Sequence, residues 1–475
     1  MRNTLKRLLT IAITLTLGAA AAQPEAFGNW QGSIGPGSLN LEIFLVIEGD
    51  EAAPVATLDI PVQGLHGFPL SDVSVSGNDV GFRMDGIPGN PAFEGQVEGD
   101  TMGGVFTQGG QQFPYFLERT PEGPAELSRP QTPVLPYPYG ELEVSFDSLD
   151  EGITLGGTLT LPEGDGPHTA LVFITGSGAQ DRDESLFGHQ PFLVIADHLT
   201  RAGYATLRVD DRGVGDSTGS DADSTLQQFI LDTLAAVQLL AERDDIGHIG
   251  LIGHSQGGLI APEAANMSDD VSFVISLAGP GIRGFELLEE QNRRLIASQS
   301  AVMGVTDEAL IEAAIESQLD LLSAIRSYLV FGDEGARAYL RSVIQAGYAE
   351  LPPAQQPEPE QLAGMIEAEV EALLSPSMVS FMMYDPQPQL RQLEVPYLGL
   401  LFGLDVQVPA DQSEPLLLAD LETGGNADHT VVVLDGLNHL MQPALTGDPS
   451  EYVQIETTVD EEVLALLTRW LDERY

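Results

Sequence analysis

Two hydrophobic rhythms divide the chain. From about residue 24 to 128, apolar and polar positions alternate in short runs, such as Leu39–Ile47, Val80–Met84 and Phe93–Val97, set apart by Gly, Pro, Asn and Asp. A period of two buries one face of a strand, so this stretch predicts a small all-β N-terminal domain, an antiparallel sheet or barrel. Within it, Trp30 reads as a core plug rather than a ligand platform. Pro130, Pro133, Pro136 and Pro138 then predict a stiff linker over 129–138.

From about 139 onward, strand-length apolar runs alternate with helical patterns. The runs are Leu142–Phe146, Ile153–Leu161, Ala170–Thr175, Tyr204–Val209, His248–Ile252, Val271–Leu277, Tyr397–Phe402 and Thr430–Leu434. Between Thr225 and Glu242, Leu226, Phe229, Ile230, Leu234, Val237 and Leu240 recur at steps of three and four, the buried face of a helix. This alternation predicts an α/β fold with a mostly parallel sheet wrapped by helices. One interval breaks it. About 115 residues, 280–394, separate two neighbouring strands and are helical in composition, interrupted by the prolines between Pro352 and Pro359. They predict a helical cap inserted between core segments 139–279 and 395–475, over the sheet edge where ligands bind in such folds.

Charge narrows the range of partners. The sequence holds 71 acidic and 20 basic residues, a net charge of −51. Residues 1–22 pair a basic start, Arg2 and Lys6-Arg7, with the apolar Leu8–Leu17 and a run of small residues ending at Ala22. This is the pattern of a secretory signal peptide, too short for a membrane span, and it predicts a secreted or periplasmic protein. Cleavage near Ala22 removes three basic residues, including Lys6, the sole lysine, and moves the charge from −51 to −54. Nucleic acid and anionic membrane are poor partners for such a surface, and no other stretch predicts membrane insertion. The acidic surface suits either solubility after export or strong hydration in a saline setting. The absence of Cys excludes disulfides, a lipidated cysteine and thiolate metal sites.

The chemistry concentrates at Gly253-His254-Ser255-Gln256-Gly257, which follows a strand-length run and precedes helix formers. A serine on so tight a turn offers its hydroxyl to a base on one side and to oxyanion donors on the other. A second match, Gly215-Asp216-Ser217-Thr218-Gly219, follows a loop and runs into polar residues, so Ser217 reads as a turn residue. Hydrolases built on such an elbow take their acid and then their histidine later in the chain. Only His429 and His439 follow Ser255, and His439 occupies the loop beyond the last strand, where a base can reach the serine. Asp405 falls in the turn after Tyr397–Phe402 and is favoured as the acid over Asp411, in the first turn of the next helix, and Asp435, at a strand end. The oxyanion donors expected are the N–H groups of Gln256 and Ser177, with Gly178 second to Ser177. Arg182 and Arg212 are expected to brace these loops.

The runs Thr175–Asp183, Arg208–Gly219, Gly253–Gly258 and Gly403–Pro409 together resemble secreted bacterial serine esterases of the α/β-hydrolase superfamily, related to prolyl-aminopeptidase-like and dienelactone-hydrolase-like enzymes. The resemblance covers about 139–475, with a weaker likeness of 24–128 to the β-rich domain some members carry. It implies the α/β-hydrolase fold with a helical cap and a Ser255-His439-Asp405 triad cleaving a small carboxylic ester without metal or cofactor. Where many relatives carry Glu, this chain has Gln256. Phe381, Met382 and Met383 in the cap suggest a roof over a pocket for short to medium acyl chains. Two other readings stay open. One is an aminopeptidase or amidase acting on a short peptide, anchoring its amino group on cap carboxylates such as Glu286, Glu289 or Glu290. The other is a non-catalytic binding protein on a hydrolase fold.

Overall fold

The computed structural model describes residues 26–35, 41–50, 53–60, 65–84, 91–108, 111–121, 128–302, 304–350 and 359–475. The signal peptide expected over 1–22 and most of the proline-rich interruption of the cap lie outside the described residues. The chain divides into two compact units: residues up to 59 with 67–124, and 125–475 with 60–66.

The first unit is a nine-stranded antiparallel sheet. Its strands are β1 (Gly28–Ile34), β2 (Leu41–Glu48), β3 (Val55–Ile60), β4 (Leu65–Pro69), β5 (Ser71–Ser76), β6 (Asp79–Arg83), β7 (Ala92–Glu98), β8 (Thr101–Gln108) and β9 (Gln111–Thr120). The spatial order is β4-β3-β2-β1-β9-β8-β7-β6-β5. Only Leu70 separates the two outermost strands in sequence, so the sheet curls back on itself like a barrel. Period-two alternation turns Ile43, Leu45 and Ile47 of β2 inward with Trp30, Phe93 and Met102. Trp30 is fully buried, donates its indole N–H to the Ala26 carbonyl at 2.9 Å and lies 4.3 Å beneath the Arg119 guanidinium. A core plug describes it well.

The second unit carries an eight-stranded sheet of β10 (Gly140–Asp147), β11 (Thr154–Leu161), β12 (His168–Ile174), β13 (Ala205–Val209), β14 (Ile246–His254), β15 (Val271–Leu277), β16 (Tyr397–Phe402) and β17 (His429–Leu434). Its order is β10-β11-β13-β12-β14-β15-β16-β17. β10, β11 and β13 pair antiparallel, and every pair from β13 through β12 to β17 is parallel. Both faces are covered. On one side α2 (Leu226–Ala241), α3 (Gly257–Met267) and α10 (Ala410–Gly424) bury Ala170, Val172 and Ile174 of β12. On the other, α1 (Pro191–Ala202) and α11 (Glu461–Asp472) bury Leu171 and Phe173. Alternate residues of one strand thus serve two cores, which explains why the parallel strands read as unbroken apolar runs.

Between β15 and β16 come α4 (Gly284–Val302), α5 (Glu308–Phe331), α6 (Glu334–Glu350), α7 (Pro359–Leu373), α8 (Pro376–Met383) and α9 (Gln387–Gln392). This is the helical insertion the sequence predicts. It has its own core, with Phe285, Leu322, Ile325, Leu340, Val370 and Met382 buried together. Arg129 donates to the carbonyls of Val453 at 2.7 Å and Ile455 at 3.0 Å, and Gln131 bonds Thr458 and Val459, pinning 129–131 along the C-terminal segment of the same unit.

Candidate active site

Ser255 sits between β14 and α3 with a backbone φ of +53°, in the left-handed region that a serine rarely occupies. Three glycines make the turn possible. A Cβ at Gly253 would collide with the Gly257 carbonyl, one at Gly257 with the Ile174 carbonyl, and one at Gly258 with Gly279 and Ser276. The Ser255 N–H donates to Leu277 O of the neighbouring strand at 2.8 Å, which fixes the turn against the sheet.

Asp405 and His439 meet each other, and the His439 carbonyl accepts from His254 of the elbow. Asp405 Oδ2 lies 2.7 Å from His439 Nδ1, and its Oδ1 accepts the N–H groups of Gln407 and Val408, each at 2.8 Å. Both residues are buried, so the carboxylate has fixed donors in place of water. The loop carrying His439 is shaped by the fully buried Asn438, whose Oδ1 accepts from Leu440 N and Gln442 N at 3.0 Å. No partner occupies His439 Nε2 among the described residues. The other candidates lie elsewhere. His429 opens β17 and bonds Asn426 O through Nδ1, Asp411 pairs with Arg294 of α4, and Asp435 is a turn residue. Ser217 is buried with its hydroxyl donating to Asp210 O and accepting from Gly156 N.

Ser255 opens into a cavity of about 320 Å³ beneath the cap. Ser177 and Gln256 line it, and their backbone N–H groups have no acceptor among the described residues. The loop bearing Ser177 is held at both ends. Asp211 accepts from Thr175 Oγ1 at 2.6 Å and Gln180 N at 2.9 Å, and Asp210 accepts from the backbone and the guanidinium of Arg182. Burial pushes the Asp211 carboxyl well above the usual carboxylate range; its two hydrogen bonds pull the other way, while the charges of Asp221 and Glu184 add to the rise. Arg182 also reaches Asp216 and Glu143, and Arg212 clamps Asp232 and Asp150. Both arginines brace loops and neither lines the cavity at Ser255.

Two residues unmarked by the sequence reading join the three loops. Fully buried Glu184 accepts through Oε1 from Gly176 N and contacts His254 Nδ1, each at 2.8 Å. His254 Nε2 then donates to the His439 carbonyl at 3.0 Å, and the two imidazole rings lie 4.8 Å apart. One carboxylate-imidazole pair therefore ties the Ser177 loop, the serine elbow and the His439 loop. Burial pulls the His254 pKa down, but the Glu184 charge and hydrogen bond, the His439 carbonyl and Asp405 outweigh it and raise it. Glu184 Oε2 remains buried without a partner, a cost the tie must offset. The partners stand 70 and 185 residues apart, and no local spacing announces such a link.

The cap contributes Leu287, Leu288 and Gln291 from α4 and Met378 and Phe381 from α8 to the cavity. Of the three apolar residues expected as a roof, only Phe381 takes that place. Met382 belongs to the cap's own core and Met383 is exposed, because successive helical residues point about 100° apart. The cap carboxylates do not line the cavity: Glu289 pairs with Arg326, Glu290 with Arg294, and Glu286 is exposed.

An eight-stranded, mostly parallel sheet with a serine elbow after β14 and an Asp–His pair after β16 and β17 defines a class of fold, and residues 171–455 match the alpha/beta hydrolase family. The chain belongs to that family. It is 27% identical over 332 residues to esterase EstD of Thermotoga maritima, covering 69% of this chain and 68% of that one. It is also 28% identical over 250 residues to 2,6-dihydropseudooxynicotine hydrolase of Paenarthrobacter nicotinovorans, covering 50% of this chain and 64% of the other. Among solved structures, the Pyrococcus furiosus esterase Pf2001 aligns with a TM-score of 0.42 at 15% identity, covering 70% of this chain and 90% of that one.

Proposed function

We propose that this protein is a serine hydrolase that cleaves small carboxylic esters through an acyl-enzyme on Ser255. The observation that carries the reading is the Asp405–His439 contact of 2.7 Å, joined to the serine elbow through His254, with no partner on His439 Nε2 among the described residues. Asp405 holds the proton on Nδ1, so that Nε2 is the basic nitrogen. Ser255 Oγ attacks the ester carbonyl carbon as its proton passes to Nε2. The carbonyl oxygen becomes an oxyanion facing the N–H groups of Gln256 and Ser177. Collapse of that intermediate breaks the bond to the leaving oxygen, which takes the proton from His439 and departs as the alcohol. Water then attacks the acyl carbon, gives a proton to His439, and releases the carboxylic acid as Ser255 recovers its own.

The similarity to an esterase in Thermotoga maritima supports the ester as substrate. The amidase reading finds no support in the cap carboxylates, which are paired or face away from the cavity. The test is turnover of p-nitrophenyl esters beside aminoacyl-anilides. Ester hydrolysis that falls about 10⁴- to 10⁶-fold in Ser255→Ala and persists in Ser217→Ala is the expected result. Preferential cleavage of the anilides, or full ester activity in Ser255→Ala, would overturn the proposal.

A further inference from the structure

Asp221 stands out on the wall of the cavity at Ser255. It is the one charged residue lining that cavity among the described residues, between the apolar Leu287, Met378 and Phe381 of the cap and the neutral Gln256 of the elbow. Its loop is docked on the cap: Ser377 N of α8 donates to the Ala222 carbonyl at 3.4 Å, and Leu226 N donates to Ser380 Oγ at 3.0 Å. The Asp221 carboxylate itself receives no hydrogen bond and no ion pair from any described residue. Arg212, which lines a small adjoining cavity together with Asp221, has its donors on Asp150 and Asp232.

Most carboxylates of so acidic a chain have no cation to meet, but Asp221 is partly buried and lines the cavity into which Ser255 opens. Burial pushes its pKa upward, with no hydrogen bond or cation to offset the loss of water. An unpaired carboxylate in a pocket is costly, and a bound cation removes that cost. We propose that Asp221 is a specificity-determining residue that selects esters carrying a cationic group, a protonated amine or quaternary ammonium, in the part of the substrate held under the cap. The inference rests on the ester-hydrolase reading above and names the substrate class of the same site. The net charge of −51 favours the same class, since it concentrates cations around the protein before they enter the cavity.

The test compares butyrylcholine with its uncharged carbon isostere, 3,3-dimethylbutyl butyrate, on the full chain in about 1 M NaCl, where the field of the surface charge is screened. The wild type is expected to prefer the cationic ester in kcat/KM by about tenfold or more, the effect of one modest charge contact. Asp221→Asn should bring the ratio of the two close to one, whereas Asp221→Glu, which restores the charge, should keep most of the preference. Because each ratio is taken within one protein, a general loss of activity in a variant cancels. A preference that survives in Asp221→Asn would belong to the overall surface charge and would overturn the assignment. A wild type that hydrolyses the neutral ester without favouring the cation would overturn it too, leaving the ester-hydrolase reading in place. Hydrolysis of neither ester would overturn both.

Discussion

At the scale of single residues, the site divides into groups that chain order and local context point to and groups that only the folded chain brings together. Ser255, Asp405 and His439 are legible because each lies in a turn at a strand end, where a short apolar run marks the place. Glu184 and His254 are not, because their partners come from distant loops and a buried acid in a polar segment looks like any other surface acid. Removing the tie has a consequence with a definite sign. The folded-state pKa of His254 lies above its unfolded value, so its pairing with Glu184 stabilises the protein below the unfolded pKa of about 6.5 and fades as pH rises through the higher folded value. Glu184→Gln should therefore lose more stability at pH 6 than at pH 9, read as the shift in urea midpoint relative to wild type. An equal loss at both values would mean that the pair contributes through shape alone. In Glu184→Ala kcat on a neutral ester should fall by roughly tenfold or more, since Gly176 N–H and His254, which holds the His439 carbonyl, lose their shared acceptor.

At the scale of elements, periodicity reveals most of the scaffold. The runs Val271–Leu277 and Tyr397–Phe402 are strands over those same residues, and the helix read from Leu226 to Leu240 runs Leu226–Ala241 with a Thr225–Gln228 capping box. The cap is harder to read, because a helix packed on both the cap core and the substrate cavity has no single apolar face. Phe381, Met382 and Met383 each meet a different environment within one turn of α8. The cavity that α4 and α8 line beside Ser255 holds about 320 Å³. Phe381→Ala should extend it and shift the ratio of kcat/KM for octanoate over butyrate p-nitrophenyl esters upward by about tenfold, within the range a few methylene contacts provide. An unchanged ratio would show that the acyl chain lies along another wall.

At the scale of the whole molecule, composition dominates. Arg182, Arg208 and Arg212 are committed to acids within the hydrolase unit, and with 71 acidic residues against 20 basic ones most carboxylates have no cation to meet. Their mutual repulsion opposes compaction most when screening is weak, over about 30 Å at 0.01 M salt against about 3 Å at 1 M. The melting temperature should rise as NaCl increases from about 0.01 to about 1 M at neutral pH, whereas KM for an uncharged ester should change little over the same range. A flat or falling melting temperature would indicate that the acidic residues are dispersed widely enough not to repel.

The proposed nucleophile is Ser255, activated by His439. A fluorophosphonate tests it directly, because an activated serine Oγ displaces fluoride from the phosphorus and keeps the adduct. Peptide mass spectrometry of the treated full chain should place a single phosphonyl group on Ser255, formed in step with loss of ester hydrolysis and absent from Ser255→Ala. An adduct on Ser217 or another serine that accounts for the lost activity, or full hydrolysis by protein modified at Ser255, would contradict it.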